Sequence, residues 1–300
     1  MSKHSLGDKK LSLGIIGLSP GNGHPYSWSA IFNGYNPEVM RSCDFPVIPE
    51  YLSRQTFPDD CIPNAKVTHI WTQNYDLSKH VAEASLIPNI SPTPEDMIGH
   101  VDAILLARDD AETHFEFAKP FIDAGLPIYI DKPIATSIKE ANQIYALEKY
   151  PGQVFTCSAL AYANELQTCS VTDIRYIDAC TIKDWRKYGI HVIEPTLKLI
   201  NHQMAIVDHT TAICGDLRTV VISWENGLVT TFKSLANCKC GFRINVFGSD
   251  GHSDIVFSDT FNMFRSALNE FVEIVRGHRT NNSRSITMKA IEIIERGLMA

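Results

Sequence analysis

The first half of the chain carries short runs dominated by apolar residues: Leu11 to Leu18, Lys66 to Thr72, Ala103 to Ala107, Pro127 to Ile130 and Val154 to Cys157. Runs of this length, separated by stretches of helical period, predict a parallel sheet covered by helices on both faces. The helices are predicted at Leu77 to Ser85 with Asp76 as cap, at Glu112 to Ala124 stopped by Gly125, and at Ser137 to Lys149 stopped before Pro151 and Gly152. After about residue 160 the pattern shifts to longer strands: Val171 to Cys180, Met204 to Ile213, Thr219 to Trp224, Leu228 to Leu235 and Phe242 to Phe247. Asn226 and Gly227 fall between two β-rich runs, a strong hairpin signal, so this sheet is expected to be predominantly antiparallel or mixed. Two closing helices fit Phe261 to Arg276, with an apolar stripe from Phe264 through Leu268, Phe271 and Val272 to Val275, and Ser285 to Arg296.

The 300 residues suffice for one large domain or two ordinary ones. The expected division is an α/β domain over 1–157, with an insertion rich in Pro and aromatics near 24–63, and an α+β domain over 158–300. A net charge of −7 and the lack of any dense Lys/Arg block argue against nucleic acid as a partner. No apolar run reaches the length of a membrane span, and the polar start from Met1 to Lys10 precedes only a brief one, so the expectation is a soluble, cytoplasmic protein. Eight cysteines in a chain of this size are expected as thiols, and Cys238 and Cys240 have no second close pair to complete a zinc site, so no metal is expected.

Candidate chemistry begins after the first strand, in "LSLGIIGLSPGNGHPYSW". A strand running into Gly17, Ser19, Gly21, Asn22 and Gly23, with a helix opening near Tyr26, would bring backbone amides close to a pyrophosphate. The pattern is imperfect: of the glycine places, Gly17 keeps its glycine, Ser19 and Asn22 replace the next two, and Gly23 lies one residue late. An ordinary strand–turn–helix junction is the competing reading. The second strand ends without a carboxylate for a ribose, leaving Thr72 and Gln73, or the insertion, to make those contacts. No arginine adjoins Thr72 in sequence, which favours NAD over NADP.

Two later strands deliver Arg108, Asp109 and Asp110, and then Asp131, Lys132 and Pro133, to the carboxyl edge where cofactors sit. Lys132 there could hold or protonate a reacting oxygen, or simply mark a strand end stopped by proline. In "DWRKYGIHVIEPTLKLI", Lys187, His191 and Glu194 would share one face of a helix, with His191 suited to acid/base work or else an ordinary surface histidine.

Taken together, the chain resembles the glucose-fructose oxidoreductase, inositol dehydrogenase and rhizopine catabolism (Gfo/Idh/MocA) family over essentially its full length. The resemblance rests on Asp131-Lys132-Pro133 within "AGLPIYIDKPIA" for that family's Glu-Lys-Pro, on Gly189, His191 and Glu194 for its Gly-x-His-x-x-Asp, and on "WENGLVTTF", "INVFGSDG" and "ALNEFVEIVRG" in the second half. It implies an N-terminal Rossmann dinucleotide-binding domain followed by an α+β domain for substrate and oligomerisation. It implies NAD or NADP held by Gly17, Ser19, Asn22, Thr72, Asp109, His114, Asp131, Lys132 and Pro133, and hydride transfer to or from a sugar, polyol or sugar-nucleotide. Lys132 would contact the reacting oxygen and His191 would be its acid/base partner, with Lys187 and Glu194 beside the substrate. Homodimers or homotetramers are implied as well. Lys187 stands where the family often has Asp, which favours an anionic substrate if it points inward and otherwise decorates a helix end. A member that binds ligand or partner without turnover is the alternative reading, motivated by Ser19, Thr72 and Lys187.

Overall fold

The apolar run after Lys10 forms β1 (Leu11–Ile16), with Leu11, Leu13, Ile15 and Ile16 all buried, as a strand covered on both faces requires. The computed structural model describes residues 9–299; residues 1–8 of the polar start lie outside the described residues. Around β1 stand β2 (Ala65–Trp71), β3 (Asn89–Ile90), β4 (Ala103–Leu106), β5 (Ile128–Ile130) and β6 (Val154–Phe155). Their order is β3-β2-β1-β4-β5-β6 and every pairing is parallel. This is a Rossmann-like sheet in which the strand order reverses beside β1, the place where such sheets bind ligands.

The connections hold α1 (His24–Asn33), α2 (Pro37–Met40), α3 (Val47–Leu52), α4 (Tyr75–Ala84), α5 (His114–Asp123) and α6 (Ile138–Tyr145). The Pro-rich stretch after α1 is thus folded into two short helices, with Ile48, Tyr51 and Leu52 buried. Helix α1 starts at His24, earlier than the pattern suggests, because Pro25 occupies its first turn, where a missing N–H costs nothing. Helix α4 is capped by Asn74 and not by Asp76: Asn74 has extended backbone and its side chain accepts the Leu77 N–H at 3.0 Å, while Asp76 lies inside the first turn.

The second sheet contains β7 (Ile174–Thr181), β8 (Ile206–Cys214), β9 (Leu217–Trp224), β10 (Val229–Ser234), β11 (Arg243–Gly248) and β12 (His252–Val256), in the order β12-β11-β7-β10-β9-β8. It is mixed: β10 runs parallel to β7 and the other pairs are antiparallel. The hairpin falls at Asn226-Gly227, where Gly227 takes φ 84° and Asn226 accepts the Leu228 N–H. Ile177, Ala179, Val220, Ile222, Phe232, Ile244 and Val246 form the buried face of this sheet. The helices here are α7 (Trp185–Tyr188), α8 (Ile190–Leu199), α9 (Thr260–Val275) and α10 (Ser283–Leu298).

The chain divides into two compact units. One takes the chain up to Asp131 together with Gln143–Thr156 and Leu268–Asn282; the other takes Lys132–Asn142, Cys157–Ala267 and the chain from Ser283. In the first unit, Trp28 of α1 stacks on Tyr129 of β5 at 4.8 Å, and Tyr129 meets Phe155 of β6 and Phe271 of α9. This aromatic column draws the second half of α9 into the same core as the parallel sheet. No described helix is long and apolar enough to cross a membrane.

In the second unit Trp185 is fixed between two glycines and donates its indole N–H to Ile294 O at 3.0 Å. A Cβ on Gly297 would lie 2.5 to 2.7 Å from three atoms of that ring. Gly297→Ala should therefore cost about 1–3 kcal/mol, read as a lower urea midpoint with an unchanged slope.

Candidate active site

Four parallel strands deliver polar side chains to one carboxyl edge, and these lock the turn after β1 into shape. Gly17 lies so close to α1 that a Cβ would sit 2.3 Å from Pro25 Cγ. Ser19 Oγ donates to Asp109 Oδ1 at 2.7 Å and receives the Asp109 N–H at 3.0 Å, a reciprocal pair between the turn and the end of β4. Gln73, beyond β2, embraces Leu18 in the same way, accepting its N–H at 3.0 Å and donating to its carbonyl at 2.7 Å. Arg108 donates to Leu18 O and Gln73 Oε1, each at 3.4 Å, while Asp110 holds its guanidinium in a two-pronged ion pair.

The end of β5 is bound to the same turn. Asp131 Oδ2 accepts from Asn22 Nδ2 at 2.8 Å and meets His24 Nδ1 at 2.6 Å. A carboxylate only accepts, so Nδ1 is the protonated ring nitrogen when Asp131 is ionised. His114 is fully buried and its Nε2 donates to Arg108 O at 2.8 Å, bracing the loop after β4. Thr72 is also buried; its hydroxyl donates to Asn74 O at 2.7 Å and touches Ser78 Oγ at 2.9 Å, within its own turn.

These contacts leave the backbone N–H groups of Ser19, Gly21 and Gly23 without a protein acceptor among the described residues. Gly21 has φ 81° and open space where a Cβ would stand. Unused amides in a glycine turn ahead of a helix fit a dinucleotide's phosphates. The residues present therefore suit the cofactor's phosphate end, with Gly17, Ser19 and Asn22 shaping the turn.

The second unit gathers the remaining candidates around Tyr188. Lys132, buried and joined to Pro133 by a cis peptide bond, places Nζ 5.5 Å from the centre of the Tyr188 ring. The same ring lies 5.5 Å from His191, and Phe242 closes on His191 at 5.1 Å. His191 Nδ1 is 2.9 Å from Ser158 Oγ, and the Ser158 N–H donates to Glu194 Oε2 at 2.6 Å. The expected single helical face for Lys187, His191 and Glu194 is not what forms. The chain turns through α7 and α8 at Gly189, with Lys187 half-buried on α7 and Glu194 engaging Ser158 from the interior of α8. Gly189 permits the junction because its Cα packs on Trp185, where a Cβ would meet Trp185 O at 2.8 Å.

Burial pushes the Glu194 carboxyl up to about 7 against the opposing pull of the Ser158 N–H and Lys198. The arrangement can hold an oxygen at Lys132, move a proton through His191 and fix the imidazole through Ser158. Sequence reasoning placed Gln73 at the end of the second strand but missed its grip on Leu18, and it missed Tyr188, Ser158 and the role of Arg108, since an aromatic, a serine and a strand-end arginine carry no spacing signal of their own.

Residues 52–158 match the model of the Gfo/Idh/MocA family, described as an oxidoreductase family with an NAD-binding Rossmann fold. The resemblance read from the sequence is thereby borne out, and the chain is an NAD(P)-dependent oxidoreductase by class. No curated protein sequence matches it. The fold is shared with scyllo-inositol dehydrogenase from Lactobacillus casei at TM-score 0.73 and 11% identity, covering 97% of this chain and 96% of that one. It is shared with UDP-N-acetylglucosamine 3-dehydrogenase from Acidithiobacillus ferrooxidans at 0.68 and 15%, covering 97% and 99%. A third match is myo-inositol dehydrogenase from Lactobacillus casei, in complex with NAD(H) and myo-inositol, at 0.71 and 11%, covering 96% and 94%.

The raised pKa of Glu194 sets a sign for pH dependence. A carboxyl that binds its proton more tightly in the folded chain contributes stability below its ordinary value of 4.5, and that stability is lost as pH rises to about 7. Relative to Glu194→Gln, the wild type should lose stability across this window and run parallel above it, in urea melts from pH 4 to 9.

Proposed function

We propose that the protein transfers hydride between a nicotinamide dinucleotide and the hydroxyl or carbonyl carbon of a sugar, polyol or sugar-nucleotide. The observation that carries this reading is the grouping of Lys132, Tyr188 and His191, with His191 braced by Ser158, in a chain whose Rossmann edge presents unused turn amides. The solved structures that share the fold include dehydrogenases of inositols and of a UDP-sugar, which supports that range of substrates.

In this reading the turn of Gly17, Ser19 and Asn22 holds the phosphates, and Asp109, His114, Asp131 and Pro133 fix the strand ends around them. Thr72 belongs to this group as a shaping residue of the β2 turn. When bound, the nicotinamide supplies the hydride donor or acceptor. Lys132 Nζ orients the reacting oxygen, and His191 takes the hydroxyl proton in oxidation or returns it in reduction. Glu194 acts through Ser158, and Lys187 borders the substrate. NAD is favoured over NADP, because Arg108, which reaches Gln73 beyond β2, has its charge matched by Asp110. A cytoplasmic location is part of the proposal, on cysteine usage suited to thiols.

A homodimer or homotetramer is proposed through the outer face of the second sheet, where Tyr176, Phe247 and Val256 are exposed and Tyr176 stacks on Phe247. Sedimentation velocity should give a dimer or larger, and Phe247→Glu should shift it toward monomer.

Titration with NADH and NADPH, by nicotinamide fluorescence and calorimetry, tests the cofactor reading. Saturable binding with NADH preferred is expected; folded protein that binds neither would favour a member without turnover. Once turnover is found, Lys132→Ala and His191→Ala should each lower kcat by ~10² to 10⁴ while changing NADH affinity little. Near-normal turnover in both would remove them from the chemistry.

A further inference from the structure

A cavity of about 590 Å³ opens at the end of the second sheet, lined by residues of the β7–α7 loop, the β8–β9 turn, the segment after β10 and the end of α10. Three of its lining residues are cations: Lys183, Arg186 and Arg218. Lys183 Nζ donates to the Tyr188 hydroxyl at 2.5 Å, Arg186 donates to Thr136 Oγ1 at 3.3 Å, and Arg218 donates to Gly297 O. None of the three is paired with a carboxylate among the described residues. Of the two carboxylates on the wall, Asp184 is engaged as the cap of α7 and Asp216 sits in the exposed β8–β9 turn.

The cations are held in place. Lys183 has left-handed backbone at φ 59°, its N–H donates to Ala236 O at 2.6 Å, and its carbonyl accepts from Ser234 Oγ. Burial and the neighbouring Arg186 guanidinium both push the Arg218 pKa down, so the like charges oppose one another when no anion lies between them. Two guanidiniums and an ammonium are the groups that recognise phosphoryl oxygens, the former by paired donors and the latter as a point charge. The volume lies in the range of small-ligand sites.

We propose that this cavity is an anion subsite that receives a phosphoryl or diphosphate group carried by the substrate. The inference rests on the dehydrogenase reading and narrows its substrate class from free polyols to phosphorylated or nucleotide-linked sugars. Its connection to the chemistry is Tyr188: the hydroxyl is bound by Lys183 on the cavity wall, and the ring stands against Lys132 and His191. Tyr188 thus touches both a cation of the cavity wall and the Lys132 and His191 side chains.

Calorimetry on protein saturated with NADH, using inorganic phosphate, pyrophosphate and uridine diphosphate as separate probes, tests this directly. Saturation with NADH keeps the probes off the Rossmann turn. Saturable binding of at least one probe is expected, weakening with added salt, and weakening at least tenfold in Arg218→Gln and in the exposed-site variant Arg186→Gln, with NADH affinity retained in both. Inorganic phosphate alone sufficing would identify a phosphate monoester, and a requirement for pyrophosphate or uridine diphosphate would identify a diphosphate. Absence of binding by all three, or binding indifferent to both arginine variants, overturns the proposal. If the wild type fails to bind NADH, the dehydrogenase reading falls separately, and the same titrations without NADH decide the cavity by the same arginine criterion.

Discussion

The Asp131 carboxylate is the constraint on which the first unit's working edge depends. It is almost wholly buried at the end of β5, and burying a carboxylate is costly unless donors meet it. Those donors are Asn22 and His24, from the far side of the turn after β1. The turn can therefore take only conformations that bring both side chains to one oxygen. Its remaining freedom is removed by Ser19 on Asp109 and by Gln73 and Arg108 on Leu18. What is left unbonded is a row of backbone amides, and preorganised amides bind anions without reorganisation at the moment of binding. His24 also stacks on Trp28 at 4.9 Å, so the aromatic column through Tyr129 and Phe155 supports one of the two donors to Asp131.

This explains how an imperfect glycine pattern still builds a turn suited to a dinucleotide. Glycine is needed where a backbone must approach closely or take positive φ, and here those places are Gly17 against Pro25, Gly23 against Ile48 and Phe45, and Gly21 at φ 81°. Ser19 and Asn22 stand where the pattern asks for glycine, yet each has its side chain turned into a strand-end carboxylate. Their side chains do the tightening that close packing of glycines would otherwise allow. The departure from pattern and the carboxylates at Asp109 and Asp131 are thus one feature seen from two ends.

Much of this was legible before the structure, for a physical reason: strands buried on both faces read as apolar runs, and Asn-Gly demands a hairpin. The five parallel strands, the carboxyl-edge cluster of Asp109, Asp131 and Lys132, and the β9–β10 hairpin all follow from local signals. What was not legible depends on contacts between distant segments. The short strand β3 and the edge strand β12 are too short or too polar to show a period. The recruitment of the end of α9 to the parallel sheet's core rests on Phe271 meeting Tyr129, which no window of sequence contains. Helical spacing placed His191 and Glu194 as neighbours, but Ser158, more than thirty residues earlier, comes between their functional groups.

That intervening serine changes what Glu194 can do. A carboxylate bonded directly to an imidazole would hold its charge against the ring, whereas here the carboxyl meets a backbone N–H and the imidazole meets the hydroxyl of the same residue. Glu194 thus holds the Ser158 backbone, and the Ser158 hydroxyl holds the imidazole in place, donating to Nδ1 or accepting from it according to the tautomer. Because the carboxyl is buried with little compensating charge, its proton is held up to about 7, and a neutral acid still accepts the Ser158 N–H. Positioning by Glu194 therefore survives protonation, while a direct ion pair to His191 would not. The consequence is that the brace on His191 persists on both sides of neutrality, which suits the acid/base role proposed for it.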